Sequence, residues 1–171
     1  TSKKWTPERL PDLTGRTIVI TGASSGIGLA AARHLVARGA RVVAAVRDLD
    51  KGTRVIDFPT VTRRLDLADL ASVREFAGSL EGPIDVLVNN AGVMAVPRQR
   101  TRDGFEMQLG TNHLGHFALT GLLLGRITDR VITVSSTAHR MGRMRFDDLN
   151  AERGYRRWAA YGQSKLANLL F

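Results

Sequence analysis

Thr21-Gly22-Ala23-Ser24-Ser25-Gly26-Ile27-Gly28 stands between the apolar, β-branched run Thr17-Ile18-Val19-Ile20 and an Ala-rich segment, Leu29 to Arg38, that closes at Gly39. The first run suits a strand buried on both faces of a parallel sheet. The second, with Ile27, Ala30, Ala31, Leu35 and Val36 at helical spacing, predicts a helix that packs by that face. Gly22, Gly26 and Gly28 permit a tight turn and let a phosphate approach the first helical N–H groups, where the helix dipole favours negative charge. No Lys-Ser or Lys-Thr follows the last glycine, so a Walker-type ATP or GTP loop is disfavoured and a dinucleotide pyrophosphate fits better.

Outward from this turn, strand and helix patterns alternate. Arg41 to Val46 reads as a second buried strand after a short connection, Val61 to Leu65 as a third, Ile84 to Val88 as a fourth and Arg130 to Val134 as a fifth. Asp69 to Leu80 carries Leu70, Val73, Phe76, Ala77 and Leu80 on one helical face and stops at Gly82-Pro83. A long helix is expected from about Gly104 to Leu124 and a last one from Trp158 to Phe171. The alternation, unbroken by repeats or low-complexity sequence, predicts a doubly wound α/β fold with a parallel sheet. The whole of 1–171 reads as a single dinucleotide-binding domain, with residues 1–16 as a polar N-terminal arm whose Trp5 packs on the surface. The segment 137–157 is long for a loop in a compact domain, the mark of a functional lid or a mobile segment.

Composition narrows the function classes. The 171 residues are 43% hydrophobic and 24% charged, ordinary for a soluble globular protein. No apolar run has the length of a membrane span and no leader pattern is visible, so a cytoplasmic address is the expectation. With no cysteine, disulfides, thiolate nucleophiles and Cys-ligated metals are excluded. The net charge of +9 comes largely from Arg, clustered at Arg98–Arg102 and Arg140–Arg157. These clusters lack the interleaved aromatics of a nucleic-acid stacking platform and read as solvated loops, so no nucleic-acid partner is expected. His113 and His116 have the i, i+3 spacing of metal ligands, but no third ligand converges on them, and they read as packing or interface residues.

Six positions bear on the cofactor and its chemistry. Beyond the second strand, where an acidic residue usually binds the ribose of NAD, Val46 is followed by Arg47, which suits the 2′-phosphate of NADP; the adjacent Asp48 leaves NAD(H) open. Asp66, closing the third strand, reads either as an acceptor for the adenine amino group or as a cap for the next helix. Asn112 sits within a helical pattern that Asn does not favour, so if buried it needs hydrogen-bonding partners or a task. Ser136 ends the fifth strand, on the sheet edge where open α/β folds bind ligands, and Tyr161 and Lys165 share one helical face. A tyrosine serving as acid or base near neutral pH needs its pKa lowered, which a nearby ammonium favours. Each also has a plain reading, as a loop serine, a helix-face tyrosine and a surface lysine.

The sequence resembles the short-chain dehydrogenase/reductase family over nearly its whole length. Thr21–Gly28 is similar to the family's T-G-x-x-x-G-x-G loop, Asp66-Leu67 to its adenine-contacting pair, and Asn89-Asn90-Ala91-Gly92 to its N-N-A-G motif. Asn112, Ser136 and Tyr161-Gly162-Gln163-Ser164-Lys165 match its catalytic Asn, Ser and Y-x-x-x-K. The resemblance implies a Rossmann-type fold and hydride transfer between NADP(H) and an alcohol or carbonyl substrate. It implies that Gly22, Ser24, Ser25, Gly26, Ile27, Gly28, Arg47, Asp66, Leu67, Asn89, Ala91, Gly92, Tyr161 and Lys165 bind cofactor. Tyr161 would move the proton, Lys165 would hold the nicotinamide ribose and lower the tyrosine pKa, Ser136 would orient the carbonyl, and Asn112 would fix a relay water. The 25-residue spacing of Ser136 and Tyr161, with Thr111-Asn112-His113-Leu114-Gly115-His116-Phe117, is similar to the branch holding retinol dehydrogenases, WW-domain oxidoreductases and protochlorophyllide reductases. Homodimers or homotetramers, built through the helices of Asn112 and Tyr161, are implied as well. Family members continue well past the catalytic Lys, so the resemblance implies that C-terminal strands are missing and the sequence is truncated after Phe171. A nucleotide-binding redox sensor or interaction module without turnover is the alternative.

Overall fold

The computed structural model describes residues 5–171; the first four residues of the expected N-terminal arm lie outside the described residues. Five parallel strands form one sheet: β1 (Thr17–Thr21), β2 (Arg41–Val46), β3 (Val61–Arg64), β4 (Ile84–Asn89) and β5 (Ile127–Thr133), in the order β3-β2-β1-β4-β5. Ile18 pairs with Val42 on one side and Val86 on the other. Chain progression therefore reverses between β1 and β4, and a crevice opens at their carboxyl ends, as the Rossmann-type arrangement requires.

Both faces of the sheet are covered, so strand residues alternate between two cores. Val19, Val43 and Leu87 join Val73, Phe76, Leu119 and Leu123 from α3 (Leu70–Ser79) and α5 (Gly115–Leu123). Ile18, Ile20, Val42, Ala44 and Val86 pack on the other face with Ala32 of α1 (Gly26–Val36). Burying a side chain such as Phe76 or Leu119 contributes about 1.5–3 kcal/mol each, and this removal of apolar surface from water is what chiefly holds the layers together.

Several boundaries differ from the sequence expectation. The first helix starts three residues early, at Gly26, inside the glycine turn, and ends at Val36. Its buried positions are Gly28 and Ala32, whereas Ile27 is 75% exposed and Ala30 is exposed, because the helix packs its smallest residues onto the strands and turns Ile27 into the cleft. A short helix absent from the sequence reading, α2 (Leu49–Val55), follows β2, with Asp48 accepting from the Lys51 N–H as its N-cap. The cap of α3 is Asp69, which accepts from the Ala71 and Ser72 N–H groups. Asp66 instead accepts from the Ala68 N–H two residues on.

The helix expected from Gly104 begins only at Met107, since Thr101 to Gly104 form a turn and the Glu106 carboxylate takes the Gln108 and Leu109 N–H groups. Its three residues, α4 (Met107–Leu109), pass into a π-helical turn, Gly110–Leu114, and then into α5. Asn112 lies in that π-turn. Such a turn carries one extra residue and often marks a functional position. The segment 137–157 opens with a 3-10 turn, Thr137–Met141, and is tied to α6 (Arg157–Leu170) by Gln163, which accepts from the Arg145 N–H and donates to the Leu149 carbonyl. Among the described residues no helix is long and apolar enough to cross a membrane.

Candidate active site

A cleft of about 780 Å³ lies over the carboxyl ends of the strands. One wall is the glycine turn. A Cβ on Gly28 would sit 2.5 Å from both the Asn90 Nδ2 and the Gly22 carbonyl oxygen, so only glycine lets α1 start this close to the strand ends. At Gly26, where φ is +53°, a Cβ would meet nothing within 4 Å, and that open side is the cleft. Ser25, the N-cap of α1, makes no side-chain capping bond, so it claims none of the first-turn N–H groups. This cradle fits a pyrophosphate. Arg47 and Lys51 also line the cleft and have no ion-pair partner among the described residues, whereas the Asp48 carboxylate is engaged by its own helix.

The opposite wall is assembled from side chains. Ser136 lies three residues past β5 and not at its end as expected, because it caps the 3-10 turn by accepting from the Ala138 N–H (3.2 Å); it faces the cleft, as do Tyr161 and Lys165 of α6. Lys165 Nζ lies 5.9 Å from the Tyr161 ring centroid and donates to the Val134 carbonyl (3.1 Å). Burial disfavours the ammonium and lowers the lysine pKa from its ordinary value. Ser135 Oγ donates to the Lys165 carbonyl and Asn168 Nδ2 to Val134, which holds α6 against the strand end at the level of the lysine.

Of the residues singled out from sequence, the cleft brings together Gly22, Ser24, Ser25, Gly26, Ile27, Gly28, Arg47, Asp66, Leu67, Ala91, Gly92, Ser136, Tyr161 and Lys165. Two stand apart. Asn89 is still within β4, where alternation turns its side chain into the core: Nδ2 donates to Thr120 Oγ1 and Oδ1 has no partner among the described residues. Its neighbour Asn90, just past the strand, lines the cleft and donates from Nδ2 to the Thr21 carbonyl. Asn112 is fully buried behind the cleft wall, with all of its side-chain polar atoms paired inside the protein. Oδ1 accepts from the Val93 N–H (2.8 Å), and Nδ2 donates to the Val93 carbonyl and to Ser164 Oγ.

Sequence reading missed the groups that tie these parts together. Thr21 Oγ1 accepts from the Asn90 and Ala91 N–H groups, both at 2.9 Å, and contacts His116 Nε2 at 2.8 Å. His116 Nδ1 lies 2.9 Å from the Asn112 carbonyl oxygen. Burial lowers the His116 pKa to about 4, helped by the nearby Lys165 and His113 charges. His113 is half-buried against Phe117 and Phe171, and its pKa is lowered by burial as well. The sequence reading of these two histidines as packing or interface residues agrees with the burial of His116, but their spacing gave no sign of which one would be sealed in the core.

The family model described as "short chain dehydrogenase" matches residues 16–171. Human retinol dehydrogenase 12 is 48% identical over 174 residues, an alignment covering 93% of this chain and 55% of that protein. The chain thus spans about half the length of the curated relatives it matches. A crystal structure of an uncharacterised protein from Mycobacterium paratuberculosis superposes with a TM-score of 0.94 at 57% identity, covering 98% of this chain and 64% of that one. The "Pseudomonas aeruginosa RhlG/NADP active-site complex" superposes with a TM-score of 0.69 at 29% identity, covering 91% and 64% of the two chains.

Proposed function

Because the chain belongs to the short-chain dehydrogenase family, we propose that it supplies the cofactor cradle and proton-transfer groups of an NADP(H)-dependent oxidoreductase acting on an alcohol or carbonyl substrate. The observation that carries this reading is convergence: Ser136, Tyr161 and Lys165 share one cleft with the glycine turn, although β2, β3, β4 and β5 intervene in the chain. A bound nicotinamide supplies or accepts the hydride. Tyr161 gives its phenolic proton to the carbonyl oxygen on reduction and takes it back on oxidation. Lys165, kept close by the Val134 carbonyl, favours the phenolate while it exists, and the Ser136 hydroxyl donates to the substrate oxygen. Asn112 acts from behind by fixing Val93 on the cleft wall; with its amide fully paired, any water it orders would have to be held through the backbone.

The preference for NADP(H) over NAD(H) rests on Arg47 and Lys51, two cations without an ion-pair partner among the described residues, at the site where a 2′-phosphate would lie. It accords with the NADP named for the Pseudomonas aeruginosa neighbour. Exposed Phe117 and Leu122 on α5 supply apolar surface for a homodimer or homotetramer. The deciding experiment is oxidation of NADPH and NADH by the protein against aldehydes, ketones and quinones, with Tyr161→Phe alongside. NADPH-dependent turnover that collapses in the variant is the expected result. Turnover that survives Tyr161→Phe overturns the proton-transfer assignment, a preference for NADH overturns the cofactor assignment, and cofactor binding without turnover moves the reading to a nucleotide-binding sensor.

A further inference from the structure

The turn from Asn90 to Val93 forms part of the cleft wall and is held by two separate clamps. At its start, Thr21 Oγ1 accepts from the Asn90 and Ala91 N–H groups; at its end, the Asn112 side chain pairs with both the N–H and the carbonyl of Val93. His116, wholly buried in α5, touches both clamps: Nε2 meets Thr21 Oγ1 and Nδ1 meets the Asn112 carbonyl. The partners dictate the proton positions. A carbonyl oxygen only accepts, so Nδ1 carries the hydrogen, and the imidazole is neutral with Nε2 free to accept. The two N–H donors occupy the lone pairs of Thr21 Oγ1, and its hydrogen goes to Nε2 at 2.8 Å in preference to the Val88 carbonyl at 3.4 Å.

We propose that His116 is a positioning residue, a neutral strut that locks the Thr21 and Asn112 clamps together and so sets the Asn90–Val93 wall against Lys165 and Tyr161. The lysine is close enough to feel that wall, since a Cβ on Gly92 would lie 3.5 Å from its Nζ and 3.0 Å from Asn112 Oδ1. A proton on Nε2 would set three donors against two lone pairs on Thr21 and loosen the Asn90 end. The charged and titratable groups facing the ring are Lys165 on α6 and His113 one turn away, and both oppose such a proton.

The positioning role rests on the oxidoreductase reading, whereas the strut does not, and the experiment separates them. Nitrogen-15 NMR of histidine-labelled protein, without cofactor, is expected to report His116 protonated on Nδ1 alone and unchanged from pH 8 to about pH 5.5, below the usual titration of an exposed histidine. In His116→Phe, amide exchange at Asn90, Ala91 and Val93 should rise together. In His116→Asn, whose amide replaces the Nδ1 donor but not the Nε2 acceptor, Val93 should stay protected while Asn90 and Ala91 loosen; this variant decides the matter where the phenylalanine variant fails to fold. A proton on Nε2, or unchanged exchange in these variants, overturns the strut. With a carbonyl substrate, kcat should fall ~10-fold or more in His116→Phe while NADPH affinity stays within about threefold, with partial recovery in His116→Asn. An active enzyme whose kcat ignores both substitutions overturns the positioning role.

Discussion

The two walls of the cleft are built on different principles. The glycine-turn wall comes from one contiguous stretch and works mainly through backbone: absent Cβ atoms, a helix start and its N–H groups. The facing side is made from side chains: Ser136 past β5 and Tyr161 and Lys165 on α6, with Asn112 of the π-turn and His116 of α5 bracing the adjoining Asn90–Val93 turn. A backbone cradle tolerates most side-chain changes and fails only where a Cβ cannot fit. A side-chain constellation is sensitive at every member and responds to pH, because its parts titrate.

The contrast is tested most severely by Tyr161→Phe, which should lower kcat by ~10²–10⁴ while leaving NADPH affinity nearly intact, as single-turnover and binding measurements would report. A parallel loss of affinity would mean that the walls are not separable. Next in size is a pH effect peculiar to the side-chain wall. His116 has a folded pKa of about 4, below its unfolded value, so between those values the unfolded chain binds the extra proton and stability falls as pH falls. Its contribution is complete above about pH 6.5 and declines by up to about 3 kcal/mol as pH drops to 4. Urea midpoints across that range should show the decline, and His116→Asn should flatten the part that His116 causes.

On the backbone wall, Gly28→Ala forces a methyl against Asn90 and the Gly22 carbonyl and should cost about 1–3 kcal/mol of stability together with cofactor affinity. An alanine accepted without loss there would show that α1 can retreat from the strands. The smallest effect is expected from Arg47→Ala, which should weaken NADPH binding ~10-fold while sparing NADH. Equal weakening of both cofactors would assign Arg47 to general electrostatic attraction instead of 2′-phosphate recognition.

How much of this was legible beforehand follows the same division. The glycine turn, the five strand segments, and Tyr161 with Lys165 on one helix face could be read directly, because each is a local pattern whose partners lie within a few residues. Errors gathered where a distant group decided the outcome. Asn89 and Asn90 look alike in sequence, yet the last strand position turns one into the core and the next one into the cleft. Ile27 fits the apolar stripe of α1, but packing selected Gly28 and Ala32 as the buried positions and left Ile27 facing the cleft.

What the sequence determined by itself is therefore what periodicity and turn chemistry encode: a parallel α/β sheet, a glycine turn at its first crossover, and Ser136, Tyr161 and Lys165 spaced to meet its edge. Only the tertiary structure decided which polar groups lose water. His116 and Asn112 became paired, buried members of the wall because α5 and the π-turn pack against the ends of β1 and β4, and the cost of leaving a buried polar atom unpaired selects one arrangement of those bonds.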